Sequence, residues 1–320
     1  LSWQEAQKRA LSYVEAITRF DASLLEECKG IADGAGVTLA DILALNMRSE
    51  VVTMPEALAD GCTSVAVLPE ATKNGQTYLG QNWDWKASQK KALLLLHIQQ
   101  NAPLPHITMV TEGGIVGKIG CNSAGLGVCL NTLGCRGGGQ GVPLHFVLRG
   151  ILNSRKLSDA LGRINQLPNA CAANFLMAHK EGEALDVEKA PHDFAVFYPE
   201  SGFLVHTNHF ITSRLQKDET LRFTTTDSYI RLGRAEKYCR NHCGQISKEN
   251  LMALFADHVE YPDAICRHED PLDAESRRKC TVFSIVMELN QGRIWLCQGN
   301  PCQNTYLPYE VLTEQTTPTA

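Results

Sequence analysis

A glycine followed by a cysteine, in the run Asp60-Gly61-Cys62-Thr63-Ser64, is the pair in this sequence best suited to covalent chemistry. Cysteine attacks as a thiolate, so some group must accept its proton near neutral pH. No local signature of a histidine-assisted cysteine protease surrounds Cys62. A second route needs no histidine. If the peptide bond before Cys62 is cut, the freed α-amino group, with an ordinary pKa of ~7.7–8.0, sits on the same residue as the thiol and can act as its base. Gly61 suits that cut, because a residue without Cβ tolerates strained backbone and leaves its carbonyl open to the adjacent thiol. The first product would be a thioester, resolved by water. That shift is uphill, so the fold must supply strain, oxyanion donors or both. Taken alone, Gly-Cys also fits an ordinary turn entering a strand.

Further candidates carry the right chemistry. Asp84, in Asn82-Trp83-Asp84-Trp85, ends a segment predicted to return from the hairpin that Cys62 begins. There its carboxylate could accept from an α-ammonium or a thiol. Asn208, in His206-Thr207-Asn208-His209, follows a predicted strand, and its neutral amide could donate to a tetrahedral oxyanion. Asn131, after the apolar run 125–130, is a second such donor or else a turn residue, while Asn122 suits the Asn-Ser-Ala-Gly turn. His206 and His209 read as supports at a strand end. Cys239, His242 and Cys243 fall in a helical stretch, and Cys266 with His268 lacks the second pair of a zinc ribbon, so no metal is expected.

These residues need a scaffold, and the chain is long enough to build one. It has 320 residues, 44% hydrophobic and 20% charged, which is ordinary globular usage. A net charge of −5 without a dense Lys/Arg run argues against nucleic acid as a partner. Twelve cysteines spread over this length read as reduced, packed thiols. Apolar runs are too short to cross a bilayer and no signal segment opens the chain, so a soluble cytoplasmic protein is expected; Leu1 in place of Met leaves room for a removed targeting piece.

The first sixty residues carry an apolar face through Trp3, Ala6, Ala10, Tyr13, Val14 and Ile17. A second helix is predicted after Asp21 or Ser23, and a third over 39–51 capped by Thr38 with Asp41. From Gly61 the pattern changes. Strands are predicted at 63–68 and 77–83 around an Asn74-Gly75 turn, then at 92–99, 106–111, 125–130, 195–198, 202–206, 281–289 and 293–298. Helices are predicted at 143–152, 157–166, 227–242 and 248–258. Such an order predicts antiparallel sheets covered by helices, an α+β layered domain. The residues after 313 are polar and expected to fray.

Seven segments in register carry a family resemblance: Asp60-Gly-Cys-Thr-Ser64, Gly80-Gln-Asn-Trp-Asp-Trp85, Gly120-Cys-Asn-Ser-Ala-Gly-Leu126, Leu130-Asn131, Ala173-Asn-Phe-Leu176, Val205-His-Thr-Asn-His-Phe210 and Thr281-Val-Phe-Ser-Ile-Val286. Together they resemble the acyl-coenzyme A:6-aminopenicillanic acid acyltransferase (isopenicillin-N acyltransferase) family of N-terminal nucleophile hydrolases, over nearly the whole chain. The resemblance implies a four-layer αββα sandwich with an N-terminal helical segment. It implies a precursor that cuts itself before its cysteine, here into a helical subunit 1–61 and a catalytic subunit 62–320 that stay associated as one structural domain. It puts the catalytic aspartate at Asp84, an oxyanion asparagine at Asn131, and an arginine near the cysteine at Arg278, with Arg277 one position away.

The expected reaction is transfer or hydrolysis of an acyl group from a linear amide or thioester through acyl-Cys62. The partners are a small-molecule acyl donor and an amine or water acceptor. No cofactor is expected beyond acyl-coenzyme A as a co-substrate, and a homo-oligomer is compatible with the sequence. Two alternatives stay open: a hydrolase of β-alanyl-amine conjugates without transferase activity, and an uncleaved, non-catalytic binding protein on the same fold.

Overall fold

The computed structural model describes residues 1–51, 61–221, 225–275 and 278–313. Asp60, Arg277 and the 314–320 tail lie outside the described residues.

Helices α1 (Trp3–Leu11), α2 (Val14–Ala35), α3 (Leu39–Asn46) and α4 (Arg48–Val51) open the chain. The apolar face expected to run unbroken to Ile17 is interrupted, because the Ser12 hydroxyl turns back to donate to the Arg9 carbonyl at 2.7 Å and ends α1. At Asp21 the backbone is extended, and its carboxylate caps Ser23 N–H at 3.1 Å, restarting the helix where the sequence predicts. Thr38 and Asp41 form a reciprocal capping box at the start of α3. The helix predicted to continue to 51 is interrupted after Asn46, whose buried amide bonds Gly114 O and Val116 N–H as well as Ile42 O of its own helix, and it resumes as α4.

The described strands form two antiparallel sheets. One has the order β10 (Phe203–His206), β1 (Thr63–Val67), β2 (Tyr78–Trp85), β11 (Cys280–Glu288), β12 (Arg293–Gln298), β13 (Leu307–Glu310). The other runs β3 (Leu93–Ile98), β4 (Ile107–Glu112), β5 (Ile119–Asn122), β6 (Leu126–Thr132), β7 (Ala173–His179), β8 (Glu183–Lys189), β9 (Phe194–Phe197). Every strand pair is antiparallel. β1 and β2 lie over β6 and β7. Helices α5 (Leu144–Leu152) and α6 (Leu157–Asn165) cover the seven-stranded sheet, and α7 (Asp227–His242) with α8 (Lys248–Phe255) covers the six-stranded one. This is the expected αββα sandwich.

β1 is buried on both faces, and its period of two sorts its residues between layers. Val65 and Val67 pack with Ala235, Leu254 and Phe255 under α7 and α8, whereas Cys62, Ala66 and Leu68 face the intersheet core with Val128 and Phe175. The strand predictions at 63–68 and 77–83 are met. β5, β7, β8 and β13 were not expected. β8 escapes a hydrophobic pattern because Asp186, Glu188 and Lys189 are buried polar residues, with Glu188 accepting from His206 Nε2 at 3.1 Å and from Thr212 N–H at 3.1 Å. α8 ends at Phe255, three residues before the predicted His258. No helix among the described residues is long and apolar enough to cross a membrane.

A buried charged pillar stands behind β2 and β6. Lys118 lies 3.4 Å from the Trp83 ring centroid and 2.5 Å from Glu112, which also pairs with Arg48. Burial pushes Glu112 up, but the Lys118 and Arg48 cations outweigh it and hold the carboxyl down to about 2. His145 beside them bonds Gly117 O at 2.8 Å, and burial, then Arg48 and Lys118, lower it to about 3. Its folded value is depressed, so between its ordinary value of 6.5 and 3 the unfolded chain binds a proton that the native chain does not. Stability therefore falls as pH drops through this window, by up to about 1.4 kcal/mol per pH unit from this group. We expect His145→Gln to flatten that slope in urea denaturation at pH 6 and pH 5. An unchanged slope would remove His145 as its source.

Candidate active site

The register of β1 against β2 sets the first relationship. Thr63 pairs with Asn82, and continuing the ladder brings Gly61 opposite Asp84. The approach is close enough to require glycine: a Cβ at Gly61 would fall on Arg267 Nε and within 2.9 Å of Asp84 Oδ2. Asp84 is fully buried; Thr281 Oγ donates to its Oδ1 at 2.8 Å, and Arg267 Nε stands 3.6 Å from Oδ2. Thr281 comes from β11, the next strand over, beside a bulge between Thr281 and Phe283.

Two asparagines flank Cys62, and in both the orientation of the amide is fixed by its partners. Asn131 on β6 accepts from Ser64 Oγ at 2.5 Å and donates to Cys62 O at 3.2 Å and His206 O at 3.3 Å. Carbonyls only accept, so the NH₂ must face them. Asn208, in the turn after β10, accepts through Oδ1 from Arg231 Nη2 at 3.1 Å, and a guanidinium only donates. Its NH₂ therefore points the other way, donating to Thr132 O at 3.2 Å, while its backbone N–H donates to Ser228 Oγ at 2.7 Å. Both NH₂ groups are aimed and held before any substrate arrives.

Arg231 is the hub of this arrangement. Only 1% exposed, it donates through Nη1 to Cys62 O at 2.7 Å and Thr63 Oγ at 3.1 Å, and through Nε to Asp227 at 2.9 Å. Arg267 pairs with the same Asp227, and also with Asp263. Burial alone would raise the Asp227 carboxyl, but Arg231 and Arg267 outweigh it and hold it below its ordinary value. A continuous ionic chain thus runs Asp84–Arg267–Asp227–Arg231 around residues 61–63.

Of the residues singled out from the sequence, Gly61, Cys62, Asp84, Asn131 and Asn208 are thus brought together around one backbone segment. Arg278 is not. Its guanidinium bonds the Asp273 and Pro271 carbonyls of its own loop, at 3.0 and 2.9 Å, and the cation beside Asp84 is Arg267, eleven residues earlier. Arg278 precedes β11 by two residues, whereas Arg267 is tied across to that strand by Thr281, whose Oγ accepts from Arg267 N–H at 3.0 Å. Arg231 and Asp227 were also missed. One signal pointed to Arg231: it interrupts the buried stripe Ser228, Ala235, Cys239 of α7, where a cation needs a partner. Of the two histidines beside Asn208, His206 bonds Glu188 and Thr207 O, and His209 stacks on Tyr229 at 3.9 Å, so each stays within supporting contacts.

The family model for acyl-coenzyme A:6-aminopenicillanic acid acyl-transferase matches residues 71–303. The chain is 36% identical over 265 residues to the 40 kDa form of acyl-coenzyme A:6-aminopenicillanic-acid-acyltransferase of Emericella nidulans, covering 82% of this chain and 71% of that protein. It is 27% identical over 170 residues to protein dcd1A of Dictyostelium discoideum, covering 47% of this chain and 36% of that one. Among solved structures, the Caenorhabditis elegans orthologue of N-acylethanolamine-hydrolyzing acid amidase superposes with TM-score 0.50 at 16% identity, covering 72% of this chain and 93% of that one. A variant of the conjugated bile acid hydrolase from Clostridium perfringens superposes with TM-score 0.53 at 14% identity, covering 80% and 100% respectively. These last two share the fold. With the match spanning most of its length, this chain belongs to the acyl-coenzyme A:6-aminopenicillanic acid acyl-transferase family and has the N-terminal nucleophile hydrolase fold.

Proposed function

We propose that this protein is made as a precursor that cuts itself at Gly61-Cys62, and that Cys62 then carries acyl groups from linear amides or thioesters to an amine or to water. The observation that supports this most directly is Gly61 wedged against Asp84 and Arg267 while the next carbonyl, Cys62 O, is held by Asn131 and Arg231.

In the cutting step Cys62 Sγ loses its proton and bonds the Gly61 carbonyl carbon. The C–N bond breaks, and the nitrogen takes the proton to become the α-amine of Cys62. Water then hydrolyses the thioester, giving a Gly61 carboxylate and a free thiol. In turnover the α-amine accepts the thiol proton, Sγ bonds the donor carbonyl, and the proton leaves with the departing amine or thiol. Asn208 and Asn131 donate to the oxyanion, and Asp84 orients the α-ammonium. The chains 1–61 and 62–320 stay together through contacts such as those of α2 and α3 with α5, where Arg149 donates to Glu27 at 2.8 Å. Acyl-coenzyme A with an amine such as 6-aminopenicillanic acid makes the reaction a transfer; water makes it a hydrolysis. A reducing compartment such as the cytoplasm suits an enzyme that works through a free thiol.

Intact mass spectrometry of the purified protein is the test, with two polypeptides dividing before Cys62 as the expected result. Incubation with acyl-coenzyme A, acyl-amino acid and β-alanyl-amine panels should then leave an acyl mass on the fragment beginning at Cys62. A single chain that stays uncut and unacylated would favour a non-catalytic binding protein on this fold. Asn208→Ala should lower kcat about 10²–10³-fold with KM little changed, the usual cost of one oxyanion donor. A loss confined to KM would place Asn208 in substrate binding instead.

A further inference from the structure

We propose that His258, Cys266, His268 and Cys302 form a zinc site that fixes the loop carrying Arg267. No local spacing marks such a site, because its donors come from three separate places. His258 follows α8, Cys266 and His268 lie in the segment leading towards β11, and Cys302 lies in the turn after β12. The fold brings their donor atoms within 4.8 Å of one another. Cys266 Sγ is 3.5 Å from Cys302 Sγ and 3.7 Å from His268 Nε2. His268 Nε2 is 3.4 Å from Cys302 Sγ and 3.2 Å from His258 Nε2.

Those separations are close to the edges of a coordination tetrahedron. With Zn–S of ~2.3 Å and Zn–N of ~2.0–2.1 Å, tetrahedral angles give edges of about 3.8 Å for S···S, 3.6 Å for S···N and 3.3 Å for N···N. Two cysteines and two histidines are a donor set that selects Zn²⁺ over hard cations, and four protein ligands leave no open position, the mark of a structural site. On binding, each thiol gives up its proton to solvent and each imidazole coordinates as the neutral ring, so a Zn²⁺ with two thiolates is neutral overall. Outer support is in place: Asn300 Nδ2 lies 3.6 Å from Cys266 Sγ and donates to Arg267 O at 2.6 Å. His258 and Cys302 are exposed, which gives an ion a way in.

The position gives the site a purpose. Arg267 lies between two of the donors, and its side chain reaches Asp84, Asp227 and the space that a Cβ at Gly61 would occupy. An ion held by Cys266 and His268 would restrain the backbone on both sides of that guanidinium. Metal binding here is separate from the proposed cysteine chemistry, and either can fail without the other.

The experiment uses the full chain, expressed with zinc, purified with thiols reduced and without chelator, and measured by inductively coupled plasma mass spectrometry. About one zinc per chain is expected after gel filtration. Cys302→Ser and His258→Ala should each carry little or none, while Cys243→Ser, an exposed cysteine elsewhere, should keep it. Cobalt substituted into the unaltered protein gives a readout independent of any variant's folding: intense visible bands of tetrahedral Co²⁺ with thiolate charge transfer. Absence of zinc from the reduced protein, zinc retained by both ligand variants, octahedral-type weak cobalt bands, or a Cys266–Cys302 disulfide recovered from the reduced protein would each overturn the proposal.

Discussion

Cys62→Ala should leave one uncut polypeptide of 35.2 kDa and lower turnover by on the order of 10⁶-fold. Both effects follow from one atom. Without Sγ nothing attacks the Gly61 carbonyl, so no α-amine is released, and the nucleophile and its base are lost together. The fold should survive, because Cys62 is a small buried residue whose backbone, not its side chain, receives Asn131 and Arg231. Intact mass and near-UV circular dichroism check the two halves of this expectation. Normal division of the alanine variant would take the thiol out of the cutting step. An uncut variant with unchanged turnover would separate cutting from catalysis and sink the α-amine as base.

The second large effect concerns stability. Arg231→Met keeps length and apolar bulk but removes the guanidinium donor from Thr63 Oγ and Asn208 Oδ1, one of two donors from Cys62 O, and one of two cations from Asp227. Removing one member of a buried ionic network typically costs about 3–5 kcal/mol, because the remaining charge stays desolvated. That is a large share of the ~5–15 kcal/mol that holds most domains together. The comparison belongs in the Cys62→Ala background, where a single chain makes urea denaturation interpretable. Arg231→Lys, which restores a point charge without the planar fork, should recover only part of the loss. A cost below about 1 kcal/mol would mean that water replaces the guanidinium, and Arg231 would no longer be the hub.

How much of this was legible beforehand follows from where each contact comes from. Gly61, Cys62 and Asp84 are readable as neighbours because they lie on two strands close in sequence; their register is not, because the connection 68–77 and not the Asn74-Gly75 turn alone sets Thr63 opposite Asn82 and so Gly61 opposite Asp84. Asn131 and Asn208 are readable as asparagines ending apolar runs. The way each amide is turned is not, since that depends on Ser64, Arg231 and carbonyls from other elements. β8 was hidden because its buried charges look like a loop until His206 and the 211–212 backbone arrive to pair them.

The arginines show the division most plainly. The family resemblance put the arginine at Arg278, just before β11; in the fold Arg267 is the one that reaches Asp84, because its backbone is hydrogen-bonded to Thr281 of that strand. The zinc donors are a still stronger case, with Cys266 and Cys302 separated by 36 residues yet 3.5 Å apart. The sequence by itself made Gly61-Cys62 the candidate dipeptide and carried the family, and through it the layered fold, because these rest on runs of adjacent residues. Only the tertiary structure decided which charges meet, because a buried ion is stabilised by whichever opposite charge the packing of distant segments delivers, and no local spacing records that choice.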